Sequence, residues 1–270
     1  MRIFKTLRTA VPSFSTDRKS VSFTVPESWR DMTGEQLHYT LFLLATFADT
    51  TIVKTYMFVR FTGLHIVKRD RFGWRCYVRT GLCGMKRVPV TLAAWQIEYF
   101  LKNFDYIDSY VGMGVRLDDV RGLHAVDVNL HGVRFIDYLN AEKYYQAYCV
   151  NYDDRFLKNM ALELYRKKNG GKVSNIKLDR AQLLGVFLWY SYVKDVLAKS
   201  FPHFFRRTDT MTENEDYNFI DSVNVQIRAL TDGDVTKEQQ IFDTDCWRAL
   251  TELDAKARET EELKKQMKKK

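Results

Sequence analysis

The sequence predicts an α+β fold, mostly α-helical, with a small antiparallel β-sheet in the N-terminal half. A helical bundle is expected in the C-terminal half, ending in a long projecting C-terminal helix. Three observations lead there. Apolar residues recur at helical spacing from Leu37 and almost continuously beyond Gly132. Between Leu64 and Arg79 the period drops to two, as in strands. The 270 residues include only 4 prolines and 13 glycines against 46% hydrophobic and 14% aromatic residues, a helix-rich composition with ample core material.

Taken in order, Phe23 to Pro26 reads as a short strand turning at Ser28-Trp29, so folded structure is expected from about residue 21. Thr33 followed by Gln36 fits a capping box ahead of Leu37, Leu41, Leu44 and Ala45. Thr51 to Phe61 reads as a second helix, stopped by Gly63. Leu64–Arg69 and Trp74–Arg79 form a β-hairpin (64–79) around the polar loop Asp70 to Gly73. In its second strand Trp74, Cys76 and Val78 face one way, and Arg75, Tyr77 and Arg79 the other. Pro89 and Thr91 introduce a helix reaching about Phe104, with an apolar stripe of Leu92, Trp95, Tyr99 and Leu101. Val126, Val128 and Leu130 alternate with Asp127, Asn129 and His131, which predicts a half-wet strand paired with the hairpin.

Beyond Gly132 the pattern is helical. A Tyr-rich helix runs from Val133 to Cys149, and Asp153 caps another that carries Phe156, Leu157, Met160, Leu164 and Tyr165 and stops at Gly170-Gly171. Arg180 to Lys199 is apolar nearly all round, which places it in the middle of a bundle. A helix from about Tyr217 to Leu230 follows, and Thr236 opens a long final helix with Phe242, Trp247, Leu250 and Leu253 inward. These segments divide the chain into an α+β region (1–131), a helical bundle (132–205), a polar linker (206–215) and a C-terminal helical pair (216–270).

Charge is unevenly placed. The chain carries +8 overall, and between residues 60 and 90 eight cations meet only Asp70, a local net of +7. Such a face suits nucleic acid or an acidic protein surface. The four cysteines are scattered and read as reduced core thiols. Met1 to Ser15 has no apolar run that would serve as a signal core, and the greasiest stretch, Leu183 to Val193, is about half a bilayer span, so a soluble protein with no membrane partner is expected.

Catalytic patterns are weak. Gly112-Met113-Gly114 lacks a third glycine and the strand-to-helix setting of a phosphate loop. His124 and His131 flank Asp127 and would form a metal site only if the strand folded back; surface residues are the plainer reading. Asp118-Asp119 and Asp153-Asp154 read as turn and helix-start residues. The cations of Tyr165 to Gly171 read as partners of a helix C-terminus, an anion patch being the alternative. No enzyme activity, cofactor or metal is therefore expected. The leading binding residues are Lys68, Arg69, Arg71, Arg75, Tyr77 and Arg79 on the hairpin, with Trp247 and Arg248 on the final helix. The hairpin face admits three readings: docking on an acidic partner, a solvated blunted edge, or nucleic-acid binding.

Three places carry a resemblance. They are Pro26, Ser28, Trp29, Thr33, Gln36 and Leu37; then Asp153-Asp154 leading to Leu164-Tyr165-Arg166; then Arg228-Ala229-Leu230-Thr231 with Gly233 to Glu238, followed by Trp247 to Asp254. Together they resemble a group of uncharacterised proteins from the tail region of phages and prophages. The resemblance implies a non-enzymatic minor structural or tail-assembly protein, chaperone- or adaptor-like, acting through protein–protein contacts in the host cytoplasm during assembly or carried into the virion. Its partners would be other phage structural or assembly proteins or further copies of the chain. The alternative is a nucleic-acid-binding protein of a phage or mobile element that uses the basic hairpin.

Overall fold

A computed structural model of the chain describes residues 4–10, 20–80, 86–206 and 219–267. The fold is α+β and mostly helical, as the sequence patterns indicate. It divides into two compact units, Met1–Val115 with Arg180–Leu184, and Arg116–Asp179 with Gly185–Lys270. The change of unit thus precedes residue 131, and beyond Arg206 the expected linker lies outside the described residues.

The first unit begins with β1 (Phe4–Ala10), antiparallel to β2 (Ser20–Pro26), so strand structure starts earlier than expected. After a 3-10 turn at Trp29–Asp31 comes α1 (Gly34–Thr46), with the expected capping box: Thr33 Oγ1 accepts from the Gln36 N–H, and the Gln36 side chain accepts from the Thr33 N–H. Asp49 caps α2 (Thr50–Thr62), and Gly63, at φ +67°, supplies the left-handed stop. Then β3 (Leu64–Asp70), β4 (Gly73–Thr80) and β5 (Lys86–Ala93) form an antiparallel sheet with β4 in the centre. The third strand is therefore β5, where a helix start was expected. The 126–131 segment supplies none. Helix α3 (Ala94–Leu101) follows directly and tightens into a 3-10 turn, Lys102–Asp108.

Phe58 centres this unit's core, its ring 6.3 Å from Trp74, 5.4 Å from Phe100 and 6.5 Å from Phe23. The buried Trp29 indole donates to the Tyr106 and Ser109 carbonyls, so no polar group of that ring is stranded. Lys54 is buried too, with Asp105 at 2.7 Å and Asp108 at 2.6 Å. Burial pulls its ammonium down, but those two carboxylates outweigh it and leave it above the ordinary lysine value.

The second unit holds a short sheet of β6 (Asp119–Val120), β7 (Leu123–Ala125) and β8 (Tyr165–Arg166), in that order. Its helices are α4 (Phe135–Asn151), α5 (Asp154–Leu164), α6 (Arg180–Ser200, its first residues grouped with the other unit), α7 (Phe219–Thr231), α8 (Glu238–Asp243) and α9 (Cys246–Met267). Trp189, Tyr190, Val193, Phe135, Tyr165 and Leu250 are buried at the centre. Three expectations change here. Residues 126–131 form turns because Asp127 Oδ1 accepts from the Asn129 and His131 N–H groups. Helix α5 stops at Leu164, ahead of the expected Gly170, because Tyr165 and Arg166 pair with β7. The final helix is broken at Thr244-Asp245, where the chain bridges to Arg134 and Asp245 accepts from the Trp247 and Arg248 N–H groups to start α9 afresh. No described helix is long and apolar enough to cross a membrane.

Candidate docking surface

The surface that gathers four of the expected binding residues, Lys68, Arg75, Tyr77 and Arg79, is the outer face of β3–β4–β5; Arg71 lies in the turn, and Arg69 pairs with Trp74 on the other face, its guanidinium 4.9 Å from that ring. Alternation sends Leu64, Cys76, Val90 and Leu92 inward, where they are buried. The opposite face carries the cross-strand rows His65–Tyr77–Pro89, Lys68–Arg75–Thr91 and Arg79–Arg87. Lys68 reaches this face through a β-bulge at Val67. Ile66 pairs with inward Cys76, yet Lys68 pairs with outward Arg75, so one extra residue has changed the parity of the strand. The turn is a tight two-residue one, Arg71-Phe72, in place of the expected four-residue loop. Gly73 is required there: at φ +144° a Cβ would stand 1.9 Å from the Leu92 carbonyl oxygen.

The electrostatics are one-sided. The sheet and its turn carry Lys68, Arg69, Arg71, Arg75, Arg79, Lys86 and Arg87 against a single acid, Asp70; Lys68, Arg75, Arg79 and Arg87 are on the outer face, and none of the seven forms an ion pair among the described residues. Asp70 itself accepts from the Phe72 N–H in the turn. Two of the direct cross-strand pairs, Lys68 with Arg75 and Arg79 with Arg87, are like-charged. Each opposes folding by roughly 0.2–1 kcal/mol, and no acid within the sheet offsets it.

Tyr77 is clasped between the strands that flank it. The His65 ring of β3 stacks at 4.8 Å, and the Arg87 guanidinium of β5 lies 5.0 Å from the same ring. The ring is approached from both flanking strands by the protein's own side chains, and the outward groups around it are guanidinium and ammonium donors. Both sheet edges are also blunted, β3 by its bulge and β5 by Pro89, which has no N–H to offer an added strand. Strand addition at either edge is thereby disfavoured.

The residues expected on the final helix are placed differently. Trp247 is held within the second unit, its indole donating to the Asn129 carbonyl at 2.7 Å and its ring 4.2 Å from His131 and 5.2 Å from Phe201. Arg248 is exposed beside it. His124 contacts Asp119 at 2.5 Å, and His131 is occupied with Trp247, so the two histidines do not converge. Among the described residues no group of three His, Cys, Asp or Glu side chains is arranged to hold a metal ion.

Two features escaped the sequence reading. Arg87 joins the face only because residues 86–93 form a strand. Trp95 and Tyr99, expected in an apolar stripe, are instead exposed at 68% and 59%, the buried side of α3 being Ile97 and Phe100. No family model, curated protein or solved structure matches the chain.

Proposed function

We propose that the protein works by binding rather than catalysis, as an assembly or adaptor component of a phage particle. In this reading its basic sheet face docks on an acidic surface of a partner protein. The observation that carries the docking role is the set of unpaired cations on one rigid sheet, two pairs of them directly opposed. Such an arrangement opposes folding, and an arriving row of carboxylates relieves it. Arginine forks match carboxylates in bidentate geometry, and the clasped Tyr77 orients Arg87 for that role. The phage setting is drawn from the tail-region resemblance at Pro26 to Leu37, Asp153 to Arg166 and Arg228 to Asp254.

The test is affinity capture of tagged protein from phage-producing cells, compared with Arg75→Glu/Arg79→Glu. Phage structural proteins should be retained at low salt, released at high salt, and lost with the double variant. Retention unchanged by charge reversal, or no phage protein retained at any salt, would sink the reading.

A further inference from the structure

A separate surface of the first unit carries a second binding role, and we propose that it is a stacking platform for single-stranded nucleic acid formed by Phe72, Trp95 and Tyr99. Trp95 and Tyr99 lie one helical turn apart on the outer side of α3, while Ile97 and Phe100 hold the inner side. Phe72, 71% exposed, sits in the β3–β4 turn, and its carbonyl accepts from the Ala94 N–H at 3.0 Å. That bond ties the turn to the residue just before Trp95. Three exposed rings thus lie on two segments that this backbone hydrogen bond joins. The Trp95 indole N–H has no partner among the described residues, and no aromatic ring or cation among them stacks on it.

Charge decides the occupant. Arg71 lies over the Phe72 ring at 4.7 Å, and Lys102, three residues past Tyr99 in the 3-10 turn that follows α3, is exposed and unpaired among the described residues. Cations therefore stand at both ends of the aromatic set, and the basic sheet adjoins it at the turn. Glu98 is the one acid on α3. The four-residue step from Trp95 to Tyr99 advances about 6 Å along the helix axis. That matches a strand stretched to about twice its 3.4 Å duplex spacing, with bases splayed for stacking. Paired bases inside a duplex could not reach these rings. A protein hot spot fits less well, because the only fully exposed aliphatic side chain of α3 is the small Ala94, too little to complete a water-excluding patch around Trp95 and Tyr99. Stacking on aromatics tolerates any base, so binding should be independent of sequence.

Trp95 is its own reporter. Trp29 and Trp189 are buried, and Trp74 and Trp247 are half-buried with ring partners, so a base stacking from solvent quenches Trp95 first. Titration with a 12-nucleotide oligothymidylate should give saturable quenching, with affinity falling as salt rises. Trp95→Phe should abolish most of the quenching and keep binding by fluorescence anisotropy of labelled oligonucleotide. Trp95→Ala and Tyr99→Ala should each weaken binding about tenfold. Absence of quenching, wild-type affinity in both alanine variants, or equal quenching by polyglutamate at the same salt would each overturn the proposal. Partner docking is read separately through Arg75→Glu/Arg79→Glu, so either proposal can fail while the other stands.

Discussion

Asp137 is 3% exposed, and its carboxylate would carry a desolvation cost of several kcal/mol if it stood alone. Arg134 and Arg166 reach it at 3.0 and 2.9 Å, and Lys172 at 2.6 Å while also holding Glu163. Burial pushes the Asp137 carboxyl up, but the bonds from Lys172 and Arg134 and the field of Arg166 outweigh it and hold the group below the ordinary carboxylate range. A depressed folded value means stabilisation that is complete above the unfolded carboxylate value, near pH 4, and lost as pH falls through the lower folded one. Asp137→Asn should therefore lower stability by on the order of 3 kcal/mol at pH 7. In urea unfolding followed from pH 7 to pH 2.5, the gap to wild type should close as the acid limit is approached. Thiol chemistry gives a second check at this scale. Burial raises the Cys76 thiol to about 11 and the Cys246 thiol to about 12, whereas Cys149 is exposed, which corrects the expectation of a core position for it. Peptide mapping after brief alkylation of the folded protein should find Cys149 modified and Cys76 and Cys246 untouched.

At the scale of elements, the sheet depends on the close approach of Gly73 to β5. Gly73→Ala must move the Leu92 carbonyl or the turn, and it forces an alanine toward a conformation that only glycine adopts freely. A loss of about 2 kcal/mol or more is expected, read as faster amide exchange across β3–β5 with α4–α6 unaffected. The hairpin itself was legible because a wet face and a dry face alternate cleanly from Trp74 to Arg79, which put Arg75, Tyr77 and Arg79 together without coordinates. Lys68 and Arg87 were harder. A bulge leaves no mark in a period-two pattern, and Pro89 with Thr91 imitates a helix start when the pairing with β4 is unseen. The same blindness to partners hid the break at Thr244-Asp245, which exists because residues 132–135 bond across it. Hydrophobicity alone places Trp95 and Tyr99 in the apolar stripe, although Ile97 and Phe100 already complete its buried side.

For the whole molecule, a chain of +8 gathers seven of its cations on one sheet, where self-repulsion works against folding. If those side chains served the fold, removing one would weaken it; if they serve a partner, removing one should strengthen the free protein and weaken the complex. Arg79 separates the two cases. It stands opposite Arg87, forms no ion pair among the described residues, and occupies an exposed strand position that a β-branched residue fits well. Arg79→Thr should raise stability in low salt by a few tenths of a kcal/mol, and the gain should shrink as added salt screens the pair. The same variant should reduce capture of the acidic partner. Denaturant midpoints at low and high salt, set beside the capture assay, give the two signs independently. A midpoint that falls in low salt would mean that Arg79 supports the sheet, and the unpaired cations would then lose their meaning as a docking face.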